Sequence, residues 1–101
     1  MQIRSGQLDF SKAKDTGPRT ANTTVVFDKP VREAAACLTG FMSEYSDLDG
    51  KEFGKLTVQL ASSITQNTVT VTATYGLRDS GERYDTNYNG SITFAVLAEL
   101  Y

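Results

Sequence analysis

The residues best equipped for chemistry lie together in the stretch Arg83-Tyr84-Asp85-Thr86-Asn87-Tyr88. The two tyrosine rings offer apolar faces, and the side chains of Asp85 and Asn87 can each engage a pair of neighbouring hydroxyls, the combination a sugar ring requires. An ordinary polar hairpin loop whose tyrosines pack on the edge of a sheet would be written in the same letters, and both readings stand at this level. Arg78, Asp79 and Glu82 could extend such a cleft, although charge-rich turns are commonly only solvated. The same stretch matches the first half of a calcium loop, Asp85-x-Asn87-x-Asn89-Gly90. The glutamate that closes such a loop at its twelfth position is here Val96, and Asp85, Asn87 and Asn89 with one carbonyl fall short of the roughly six to eight oxygens calcium takes. A hairpin turn explains these letters as well, and no metal or other cofactor is expected.

Catalysis is disfavoured by what the chain lacks. It contains no histidine, so the commonest proton-transfer group at neutral pH is missing. Its single cysteine, Cys37, sits in the apolar run Ala34-Ala35-Ala36-Cys37-Leu38. Without histidine to generate a thiolate it reads as a small buried hydrophobe, not a nucleophile, and no intrachain disulfide can form. The carboxylate pairs Asp47 with Asp49 and Asp79 with Glu82 could serve a glycosidase-like reaction in principle, but nothing specifies the separation that chemistry needs. The expectation is a binding protein and not an enzyme.

Positioning such residues falls to strands. In Asn67-Thr68-Val69-Thr70-Val71-Thr72-Ala73-Thr74-Tyr75 the apolar positions alternate with threonine at a period of two, the mark of a half-buried strand. The valines are needed inside, so Thr68, Thr70, Thr72 and Thr74 should form the outward or interface face. Leu56 to Ala61 alternates in the same way, and with turn chemistry at Ser62 to Gln66 the two runs predict a hairpin. Asn89-Gly90 reads as a turn leading into a long terminal strand, Ser91 to Tyr101. Thr23 to Phe27 is a shorter strand closed by Asp28-Lys29-Pro30, and Gln2 to Phe10 is a strand with a bulge expected at Ser5-Gly6. Pro30 to Tyr45 has the alanine content of a helix, but its neighbours are strands and Gly40 interrupts it, so a strand near Ala34 to Met42 is chosen. Ser46 to Gly54 reads as an exposed loop.

Short strands separated by turn clusters predict an all-β fold, a six-stranded antiparallel β-sandwich, with function in the loops. At 101 residues the chain has room for one domain, 1–101, with one core. Hydrophobic residues at 40% and charged residues at 22% exclude long disorder. A net charge of -2 supplies no field for phosphates, so nucleic acid is not an expected partner. Met1 to Gly6 is not followed by an apolar run long enough for a signal peptide or membrane helix. The expectation is a soluble chain without membrane insertion, cytoplasmic, released by a non-classical route or associated with a virion.

Four pieces in order carry a likeness that spans nearly the whole chain: Arg4-Ser5-Gly6-Gln7-Leu8-Asp9, Thr24-Val25-Val26-Phe27-Asp28-Lys29-Pro30, Asn67 to Tyr75, and Ser91 to Tyr101. In these the chain resembles the H-type lectin domain. The resemblance implies a six-stranded antiparallel sandwich assembled as a homotrimer or hexamer. It also implies galactose or N-acetylgalactosamine glycans as partners, bound in clefts between subunits. By the same resemblance the binding residues would be Asp15 and Gly17 in the loop before the second strand, with Arg83, Tyr84, Asp85, Asn87 and Tyr88 before the last. The chain departs from the family where Val69 stands near its arginine, where the spacing at Asp15-Thr16-Gly17 differs, and in having neither tryptophan nor histidine. A structural or adhesion module that keeps the fold without sugar, as in a virion, tail fibre or surface layer, is the other expectation.

Overall fold

The computed structural model describes residues 1–13, 18–45, 53–79 and 88–101. Six strands run through them: β1 (Gln2–Ala13), β2 (Arg19–Val26), β3 (Val31–Tyr45), β4 (Phe53–Thr65), β5 (Thr68–Asp79) and β6 (Tyr88–Leu100). They form two three-stranded antiparallel sheets, ordered β1-β6-β3 and β2-β5-β4. This is the all-β architecture that the alternating pattern implied, compatible with a six-stranded sandwich. Of the ambiguous segment Pro30 to Tyr45, all but Pro30 is strand, β3, which extends beyond the Ala34 to Met42 expected. No helix occurs among the described residues, so none is long and apolar enough to cross a membrane.

The core follows from the period of two. Val69, Val71, Ala73, Tyr75 and Leu77 of β5 are buried against Tyr88, Ile92, Phe94, Val96 and Ala98 of β6, the two central strands. Each sheet thus contributes one row, and the threonines between the β5 valines are only half-buried on the outer face, as expected. Phe27 and Val31, either side of the crossover between the sheets, close one end of this core.

Several local expectations are corrected, each by tertiary contacts. The register of β1 on β6 runs without interruption through Ser5 and Gly6, and the irregularity lies between Phe10 and Ala13. Gly6 is there for space, since an added Cβ would meet the Phe94 ring, overlapping Cζ and lying 2.9 Å from Cε2. The β4–β5 hairpin exists, but Ser62 to Thr65 remain in strand and the turn is the pair Gln66-Asn67. Gln66 takes a positive φ of 54°. Its carbonyl accepts from Val31 N–H, the Asn67 carbonyl accepts from Phe27 N–H, and the Asn67 amide donates to the Phe27 carbonyl. Bonds to another element hold a turn that carries no glycine.

Asn89-Gly90 is likewise no turn but lies within β6, because Gly90 is a packing site for the Tyr75 ring. Cys37, expected to be buried, is exposed: it pairs with Ala95 on the outer face of its sheet, while Ala34 and Ala36 point inward. Strand β2 starts earlier than Thr23, at Arg19, and Phe53-Gly54 belongs to β4 and not to a loop.

Candidate ligand-binding end of the sandwich

One end of the sandwich gathers the chain ends of every undescribed segment. Ala13 and Tyr45 both pair with Tyr88, Phe53 pairs with Asp79, and Arg19 pairs with Tyr75. Segments 14–17, 46–52 and 80–87 therefore all leave and rejoin the sheets at this end. The opposite end holds the Gln66-Asn67 turn, the crossover at 27–30 and both termini, tied by Tyr101 N–H donating to the Pro30 carbonyl.

The described residues beneath the first end are aromatic. Phe10 and Tyr75 lie with ring centroids 5.2 Å apart, and Tyr75 meets Tyr88 edge-on at 5.6 Å. The Arg19 guanidinium lies over both neighbours, 4.5 Å from the Tyr88 centroid and 5.8 Å from that of Phe10, and donates to the Tyr88 carbonyl at 3.0 Å. A cation on two ring faces is worth about 0.5–2 kcal/mol, more when desolvated. Arg19 places a positive charge at the base of this end. Nothing in its residue type sets it apart from the other arginines; the one available signal is its place directly after Pro18 at the head of an alternating strand.

The Tyr75 hydroxyl forms the second fixed point. It donates to the Asn89 carbonyl at 2.9 Å, so its oxygen is left to accept from the Ser43 hydroxyl at 2.6 Å. Burial raises its pKa above the ordinary tyrosine value, with the Ser43 hydrogen bond acting the other way. A group whose pKa is raised on folding contributes stability that is complete below its unfolded value, near pH 10, and is lost as pH climbs through the higher folded value. Tyr75→Phe removes both hydrogen bonds and should cost about 1–2 kcal/mol at neutral pH. The variant should also show a shallower loss of stability above about pH 10. Denaturant midpoints between neutral and strongly alkaline pH measure both, and parallel curves for variant and parent would refute the assignment.

Of the residues expected to bind ligand, Asp15, Gly17, Arg83, Tyr84, Asp85 and Asn87 lie outside the described residues, as does Glu82. Tyr88 is described, and it is fully buried, its ring packed between Tyr75 and Arg19. No ligand can stack on that face; the ring is part of the core. Val69, near the position of the family's arginine, is completely buried in the core. Arg78 is half-exposed on the outer face, directly across from Lys55, and Asp79 ends β5. For the calcium alternative, Asp85 and Asn87 lie outside the described residues and Asn89 is a strand residue of β6. Among the described residues no three or more acidic, cysteine or histidine side chains gather as a metal site. Shallow depressions occur elsewhere: about 260 and 300 Å³ at the opposite end, and about 370 Å³ beside Thr72 and Thr74 on the outer threonine face.

No protein family, no curated protein and no solved structure matches this chain.

Proposed function

We propose that this chain is a non-catalytic, multivalent carbohydrate-binding protein, a lectin assembled as a homotrimer or hexamer. Its ligands are glycans ending in galactose or N-acetylgalactosamine, bound in clefts between subunits. The observation that carries the reading is the convergence of segments 14–17 and 80–87 on one end of the sandwich. These two segments hold Asp15, Gly17, Arg83, Tyr84, Asp85 and Asn87, the carboxylate, amide, cation and aromatic ring that sugar recognition uses. The resemblance to H-type lectins in residue order supports it from an independent direction. Single sites of this kind are weak, and presenting several on one face raises avidity by about 10²–10⁴ where geometry permits.

Tyr88 favours a second reading. Its ring serves the core, so one of the two tyrosines counted on for stacking is withdrawn, which weakens the sugar-stacking chemistry. A structural or adhesion module that keeps the fold without sugar is that alternative. A glycan array probed with the oligomer decides between them. Binding to galactose-type sugars, reduced about tenfold or more in Tyr84→Ala and Asn87→Ala, is the expected result, tenfold corresponding to about 1.4 kcal/mol. A flat array, with assembly verified, leaves the structural module.

A further inference from the structure

We infer that the side of the sandwich formed by β3 and β4 is covered by a second copy of this chain, with Leu38, Phe41 and Ile64 as its anchors. The inference rests on the assembly part of the proposed function and is independent of whether sugar binds.

Four large apolar side chains are exposed along these two strands: Leu38 at 45%, Phe41 at 51%, Met42 at 44% and Ile64 at 40%. Three of them are inner-row residues. Leu38 pairs with Phe94, Phe41 with Ile92 and Ile64 with Val69, and all three partners are core residues. Residues paired across antiparallel strands share a face, so these side chains sit at the rim of a seam between the sheets. They are exposed because β3 and β4 are the last strands of their sheets on this side.

The opposite seam, between β1 and β2, is finished differently. Arg4 lies 5.4 Å over the Phe27 ring and Arg19 lies over Phe10, so cations cap the aromatic edge there. Among the described residues the β3–β4 side shows no such cap. Ala34 to Ser43 and Leu56 to Thr65 are two ten-residue runs without a charged residue or proline. Long, apolar, unpaired edges invite pairing, and proteins that remain monomeric blunt them with lysine, proline or bulges. Within the two runs the pairing shifts once, between Leu38 and Gly40; the other shifts on these strands, between Val31 and Glu33 and between Phe53 and Lys55, lie outside them.

Size and charge identify the occupant. The molecule extends 53 × 19 × 17 Å, so one long side in full offers on the order of 900 Å², of which the uncharged runs, about 33 Å long, supply somewhat under two thirds and their flanks the rest, against the roughly 800 Å² per partner of a stable interface. Interface centres are depleted in charge and their rims are polar; a chain with net charge -2 meets its own copy here with the uncharged runs at the centre and Arg32, Glu33, Glu44 and Lys55 of the same strands, charges of both signs, at the margins.

Light scattering of the wild-type chain tests this, alongside the double variant Leu38→Glu/Phe41→Glu and the outer-face control Thr72→Lys. The wild type and control should show masses of several 11.0 kDa chains. The double variant should fall to one chain while keeping a β-type circular dichroism spectrum and a cooperative melt. A wild-type monomer, a double variant that stays assembled, or dissociation by Thr72→Lys alone would each overturn the inference. Should the double variant fail to fold, Ile64→Glu and hydrogen exchange of the wild type replace it. Amides of β3 should exchange more slowly at concentrations where the oligomer forms, and equal exchange across that range counts against the seam. The glycan array is read separately, so an assembled protein that ignores sugar removes the lectin reading and leaves this one intact.

Discussion

Gly90→Ala is expected to be more damaging than Gly6→Ala or Gly40→Ala, costing about 3 kcal/mol, near the upper end for overpacking. Gly90 lies inside β6, buried, where a new Cβ would overlap the Met42 carbonyl oxygen and lie 2.8 Å from both Cζ and Oη of Tyr75. The first obstacle is backbone of the neighbouring strand. The second is a ring held by two hydrogen bonds and two aromatic neighbours. Neither can rotate away, so relief requires β3 to separate from β6 at Met42 and Ser43. For a domain near 100 residues, 1 kcal/mol moves the melting temperature by about 4–8 °C, which predicts a fall of about 12–24 °C by calorimetry. A fall of less than about 4 °C, the equivalent of 1 kcal/mol or less, would mean that the strands slide apart easily and that Gly90 is not a packing constraint.

Phe94→Ala should cost about as much or more, 3–5 kcal/mol on the usual scale for large aromatic truncation. Phe94 is 1% exposed in the cluster that joins Phe27, Val69, Val71 and Val96. On its other face it fills the space above Gly6, whose missing side chain allows the ring to lie on the β1 backbone. This makes the pair non-additive. Gly6→Ala alone should cost about 1–3 kcal/mol by overpacking, but in a Phe94→Leu background, where the ring is gone, it should cost about 1 kcal/mol less. A double-mutant cycle by denaturant unfolding measures the coupling. Strict additivity would mean the ring and Gly6 do not compete for the same volume.

Both predictions turn on glycines that local rules misread. Gly6 was expected to mark a bulge and Gly90 a turn, because glycine in isolation signals conformational freedom. In this fold each serves instead through the absence of a side chain, and only the facing strand shows what fills the space. The same holds for the hairpin tip. Serines at 62 and 63 look like turn chemistry, yet they pair with Val71 and Thr70, and the chain reverses at Gln66-Asn67, where bonds to Phe27 and Val31 compensate for a positive φ.

The candidate site divides along a similar line. Residues 83–88 stand out by their functional groups; of these only Tyr88 is described, and the flanks of segments 14–17 and 80–87, Ala13, Arg19, Asp79 and Tyr88, lie at one end of the sheets. Tyr88 and Arg19 were not separable by residue type. Whether a tyrosine faces ligand or core depends on its parity relative to Ile92 and Phe94 in β6, and parity could be counted only once the strand was known to begin at Tyr88. Arg19 gains its importance from Phe10 and Tyr88, nine positions before it and sixty-nine after it in the chain.

What the sequence by itself determined is the set of properties that depend on neighbours along the chain. The period of two in β5 and β6 dictated strands, buried valines and outward threonines, because side chains alternate across a strand whatever it pairs with. The absence of histidine and the net charge of -2 are likewise readable without a fold, and they set the expectations about catalysis and phosphate partners. Only the tertiary structure decided the strand order β1-β6-β3 and β2-β5-β4, the roles of Gly6 and Gly90, the exposure of Cys37, and which seam arginines close and which is left open. Those are pairings between residues tens of positions apart, and their energies come from packing volumes and ring contacts that no local pattern encodes.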